Sequence, residues 1–111
     1  MDKIKKIGKI RTIRTGSAFY KVEYVKDLKG EDSVPLLGRT WLDRGLIRIN
    51  NTLPFVTQIK TLHHESTHAI FYEYGFSWNE KKVDLFSKAF YAFILNNPEF
   101  IRQILKYGGK V

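Results

Sequence analysis

The chain changes its patterning once, at Asn51-Thr52-Leu53-Pro54. Before that point apolar and polar residues partly alternate, as in half-buried strands. After it apolar residues recur at the spacing of amphipathic helices. One such switch keeps strands and helices apart along the chain. It predicts an α+β fold, with a small antiparallel sheet of three or four strands followed by helices.

Residues 19–25 (FYKVEYV), 38–42 (GRTWL) and 46–50 (LIRIN) read as strands. Lys29-Gly30-Glu31-Asp32-Ser33 is a polar turn, and Asp43-Arg44-Gly45 joins the last two strands as a hairpin, where Gly45 can take a positive φ. Pro54 sits in the first turn of a helix that runs to about Tyr74 and is capped by Gly75. Asn79 caps a second helix, from Glu80 to about Leu95. Asn96-Asn97-Pro98 breaks it and begins a third helix, which ends at Tyr107-Gly108-Gly109. Val83, Phe86, Phe90, Phe93 and Ile94 recur at helical spacing and read as core.

A chain of 111 residues predicts one domain, with a basic arm or edge strand over 1–16, the sheet over 17–50 and a helical part over 54–108. It has no Cys, which excludes disulfide scaffolds, Cys-type zinc ribbons, iron–sulfur clusters and cysteine nucleophiles. The net charge of +8 is lopsided: residues 1–30 hold nine Lys/Arg against three Asp/Glu, a net of +6. A nucleic-acid partner reached through basic residues 3–14 is one reading of that excess, and a solvated edge strand is the other. The first 16 residues contain no apolar run long enough for a signal peptide or membrane span. A cytoplasmic chain without membrane contact is expected.

One segment carries chemistry: His64-Glu65-Ser66-Thr67-His68, an H-E-x-x-H pattern inside the first helix. At this chain's own residue frequencies the pattern arises by chance about 0.004 times. A helix turns about 100° per residue, so His64 and His68 lie about 40° apart on one face and can share a Zn²⁺ ion. Glu65, about 100° round from His64, can reach a metal-activated water as general base without being a ligand. With His64 at zero, Leu62, Ile59, Ile70 and Val56 fall between about 160° and 280°, an apolar stripe expected to face the core and oppose the histidines.

Zinc needs a third protein ligand. Phe71 and Tyr74 stand where the longer H-E-x-x-H-x-x-G-x-x-H pattern would have Gly and His. Glu73 lies about 180° from His64 and is excluded. Glu80 and Asp84, one turn apart on the second helix, remain. The five-residue connection 75–79 can span up to about 16 Å, enough to run back and present Glu80 beside His68. Asp84 would then orient a ligand histidine, and the two roles can be exchanged. Tyr72, near 80°, either stabilises an oxyanion or packs as a half-exposed tyrosine. His63 projects toward the apolar stripe as a packing residue. Ser66 is expected to bond back to the carbonyl of Leu62.

Three blocks together look familiar: LGRTWLDRGLIRIN at 37–50, TLHHESTHAI at 61–70 and NEKKVDLFSKAFYAFILNNPEF at 79–100. In that order they resemble the short gluzincin-like metallopeptidases of phages and mobile elements, relatives of the ImmA/IrrE-type immunity-region peptidases. With the YKVEYV strand, the likeness spans roughly residues 20–105. It implies zinc held by His64, His68 and Glu80, with Glu65 as base and Asp84 as support. It implies a peptide or protein substrate, such as a regulatory protein. It also implies that strand 46–50 borders the cleft and pairs with an extended peptide. His63 and Ser66 depart from the family, which usually has an apolar residue at the first position and often at the second. The alternative is a zinc-retaining, non-proteolytic regulatory or nucleic-acid-binding protein of such an element.

Overall fold

A computed structural model of the chain describes residues 9–77 and 79–109. Half of the basic segment 3–14 expected as an arm, residues 3–8, and Trp78 of the connection 75–79 lie outside the described residues. Four strands come first: β1 (Thr12–Arg14), β2 (Phe19–Val25), β3 (Gly38–Trp41) and β4 (Leu46–Asn50). Three helices follow: α1 (Phe55–Glu73), α2 (Glu80–Asn96) and α3 (Pro98–Tyr107). The α+β layout expected from the single switch in patterning is the one observed.

The sheet order is β1-β2-β4-β3. β1 is antiparallel to β2, and β3 to β4, but β2 and β4 run parallel. The sheet is therefore mixed, not wholly antiparallel as expected. The reason is the connection between β2 and β4: it contains β3, so the chain reverses twice and β4 returns in the direction of β2. The return also puts β4 inside the sheet, with β2 on one side and β3 on the other. Strand 46–50 has no free edge for a peptide, which corrects that expectation. β3 ends the sheet instead.

Register sorts the side chains into two faces. Ile13, Tyr20, Val22, Tyr24, Ile47, Ile49, Gly38 and Thr40 are cross-strand partners on one face. Tyr20, Val22, Ile47 and Ile49 form the core there with Leu62 and Ala69 of α1. The other face carries Thr12, Arg14, Phe19, Lys21, Glu23, Leu46, Arg48, Arg39 and Trp41. The turns suit their residues. Gly45 has φ +60 in the β3–β4 hairpin, and the Arg44 N–H donates to the Trp41 carbonyl at 3.2 Å. Asn50 ends β4 by accepting from the Thr52 N–H at 3.0 Å and donating to the Leu36 carbonyl at 3.1 Å.

The chain forms two compact units, Met1–Ser77 and Trp78–Val111. In the first, α1 packs on the sheet through Gln58, Thr61, Leu62, Glu65 and Ala69, all buried. These residues span about 60° to 160° from His64. The expected stripe is mostly solvent-facing: Val56 is 60% exposed, Ile59 42% and Ile70 37%, and only Leu62 is buried. Polar side chains on the inner face find partners for some of their groups, though Gln58 Oε1 is buried with none among the described residues. Gln58 Nε2 donates to the Leu53 carbonyl at 2.8 Å, and Glu65 accepts from Thr40. The histidine face thus adjoins the buried face and does not oppose it.

Pro54 is the N-cap of α1, one position before the expected first turn. At the other end, the Gly75 N–H donates to the Tyr72 carbonyl at 3.3 Å and the Phe76 N–H to the Phe71 carbonyl at 2.9 Å. With Gly75 at φ +77 and the Phe71 and Phe76 rings 5.4 Å apart, this is a Schellman cap sealed by a hydrophobic contact. In the second unit, Asn79 Oδ1 accepts from the Lys82 N–H at 2.9 Å and caps α2, and Pro98 opens α3. Val83 and Ser87 are buried, whereas Phe86, Phe90 and Phe93 stack along α2 and remain over 40% exposed, unlike the core row expected. Among the described residues no helix is long and apolar enough to cross a membrane.

Candidate metal centre

H-E-x-x-H lies wholly inside α1, so helix geometry alone places its side chains. His64 and His68 meet on one face with ring centroids 5.0 Å apart and planes at 74°. Both rings are half-buried, neither sealed in the core nor free on the surface. Two edge-to-face imidazoles one turn apart are the pair a tetrahedral metal can use.

Glu65, next to His64 on the helix, lies at the contact between α1 and the sheet. It is only 8% exposed. The Thr40 hydroxyl of β3 lies 2.7 Å from its carboxylate Oε1 and 3.2 Å from its backbone carbonyl. A buried carboxylate without such a donor would be costly, and this one also fixes its rotamer. β3 comes this close because residue 38 has no side chain. A Cβ there would sit 2.7 Å from Thr61 Cγ2, 3.1 Å from the Arg48 carbonyl oxygen and 3.2 Å from Glu65 Cγ. Thr40 was not singled out from the sequence. The signal was its register: it alternates with Arg39 and Trp41, so it shares the helix-facing side of the terminal strand.

The other residues fall as follows. Glu73, excluded as a ligand by its angle, is engaged elsewhere. Its carboxylate accepts from the Thr15 hydroxyl and from the backbone N–H groups of Gly16 at 2.9 Å and Ser17 at 3.1 Å. Those donors, the Thr15 hydroxyl first, hold its pKa below the usual carboxylate range. They tie the β1–β2 turn to the last turn of α1. Tyr72 is 61% exposed, two turns beyond His64 and near Tyr20 of β2. His63 is half-buried. Ser66 Oγ is buried and has no hydrogen-bond partner among the described residues, which corrects its expected bond to Leu62. The back-bond is made next door, from the Thr67 hydroxyl to the His63 carbonyl at 2.8 Å. Such a bond depends on which way the hydroxyl is turned; Thr67 turns it onto the preceding turn, as Thr61 does toward the Thr57 carbonyl at 2.8 Å.

In the second unit, Glu80 is the first residue of α2 and is exposed. Asp84, one turn later, pairs with Lys88 at 3.0 Å. Both carboxylates lie where the sequence placed them on α2. Comparison of the chain with protein-family models, curated proteins and solved structures finds no match.

Proposed function

We propose that this chain is a zinc-dependent metallopeptidase of the cytoplasm, of the kind carried by phages and mobile elements. The observation that carries the reading is Glu65. It lies within H-E-x-x-H, is buried beside the adjacent His64–His68 pair, and is pinned by Thr40 of the strand that ends the sheet.

The donor chemistry fits zinc. His64, His68 and Glu80 would hold the ion, each offering one ligand atom. Two imidazoles and one carboxylate are a catalytic set that leaves a position open. Asp84, a turn after Glu80, would support a ligand histidine. When bound, Zn²⁺ polarises the scissile carbonyl and lowers the pKa of water. Glu65 takes the proton from the attacking water and passes it to the leaving amine. Thr40 holds the Glu65 carboxylate in one orientation throughout. An extended peptide laid along the outer edge of β3 would continue the sheet through main-chain hydrogen bonds. It would run past Thr40 and therefore past Glu65.

Glu65→Gln is expected to retain zinc and lose hydrolysis of fluorescein-labelled casein. Wild-type turnover in that variant would overturn the assignment of the base.

A further inference from the structure

We propose that the sheet face turned away from α1 binds single-stranded nucleic acid, a function separate from the metal centre. Register places Arg14, Phe19, Lys21, Arg39, Trp41 and Arg48 on that face. Four are cations, drawn from all four strands, and two are aromatic rings. The cations are arranged around the rings. Arg14 lies over Phe19 at 5.1 Å, while Arg39 and Arg48 lie over Trp41 at 4.6 and 5.2 Å. Phe19 is 62% exposed, so its ring is accessible to a base from solvent.

Charge on this face is only partly cancelled. Among its register partners Glu23 is the carboxylate, shared between Arg48 at 2.9 Å and Lys21 at 3.4 Å. Arg39 also meets Glu31 from the preceding loop at 3.5 Å, across a contact open to solvent. The excess is positive, as a phosphate backbone requires.

Shape favours a single strand over a duplex. A sheet surface presents rings to unstacked bases, and guanidinium planes serve as well as rings do. Phe19 and Trp41 sit two strands apart, and the register offsets them by two residues along the strands. That separates them by about 12 Å across the sheet, so each can hold a different base of one strand. The cations between and around them would take the phosphates.

The test is fluorescence anisotropy of a fluorescein-labelled oligo-dT of about 20 nucleotides with the full chain, repeated across a salt series. Binding is expected at low salt, with a log–log salt slope of about −3 for four cations. Arg39→Ala and Lys21→Ala should each flatten the slope by about 0.7. Phe19→Ala, at an exposed position, should weaken binding roughly tenfold or more while leaving the slope nearly unchanged. Three results would each overturn the proposal. One is no anisotropy change at low salt. Another is binding that survives all three substitutions but is lost when Lys3, Lys5 and Lys6 are replaced by Ala. The third is equal or tighter binding to a duplex of the same length, or to phosphatidylserine vesicles, unaffected by Phe19→Ala. A zinc-free preparation should bind equally well, so failure of the metal reading and failure of this one are distinguishable.

Discussion

Thr40→Val removes one hydroxyl from the α1–β3 contact and little else, because the two side chains have nearly the same volume. The lost bond is 2.7 Å long and ends on a buried carboxylate. A hydrogen bond to a charged group contributes about 1.5–3 kcal/mol. If that energy holds Glu65 in its working orientation, its loss lowers turnover by roughly 10- to 150-fold, at a factor of ten per about 1.4 kcal/mol. The effect should fall on kcat with KM little changed, because Thr40 orients the base and does not hold substrate. The assay is cleavage of fluorescein-labelled casein, with bound zinc measured on the same samples. Zinc should stay at the wild-type level, since neither Thr40 nor Glu65 is a proposed ligand. Thr40→Ser, which keeps the hydroxyl, should recover most of the activity. Unchanged kcat in Thr40→Val would refute the positioning role. A loss not restored by Ser would show that the methyl packing mattered and the hydroxyl did not.

Two further substitutions probe the scaffold. The Glu73 carboxyl is held below its ordinary value near 4.5 by the Thr15 hydroxyl and the turn N–H groups. A pKa lowered by folding adds stability that is present above the unfolded value and is lost as pH falls through the folded one. Wild type should therefore melt above Glu73→Gln at neutral pH, and the gap should narrow as pH falls below the ordinary value near 4.5; a gap constant with pH would contradict the clamp. Gly38→Ala pushes a methyl to within 2.7 Å of Thr61 Cγ2 and 3.1 Å of backbone, and should cost about 1–3 kcal/mol in urea denaturation. An unchanged midpoint would mean that β3 can draw away from α1 freely.

What was legible in the sequence was local. H-E-x-x-H, the Gly75 stop, the Asn79 cap and the Gly45 hairpin each depend on a few neighbouring residues, and each is where the pattern put it. The elements that differ depend on partners far along the chain. That β4 lies inside the sheet follows from the path of residues 26–45, which alternation within 46–50 does not encode. That Glu65 faces inward, while Val56 and Ile59 face outward, follows from a donor supplied elsewhere. For Glu65 the donor is Thr40, on a strand that approaches because Gly38 leaves room. Hydrophobic periodicity ranks residues by transfer energy and has no means of seeing a buried carboxylate that finds its donor. The same register that hides Thr40 from a motif search turns Arg39 and Trp41 outward.

The central claim is that His64 and His68 on α1, with Glu80 on α2, hold zinc. The most direct measurement is the zinc content of purified chain at neutral pH, beside its melting temperature with and without chelator. About one zinc per chain is expected, lost in His68→Ala and weakened in Glu80→Gln, with a melting temperature that drops when the metal is removed. Less than about a tenth of a zinc per chain, with a melting temperature indifferent to chelator, would contradict the claim.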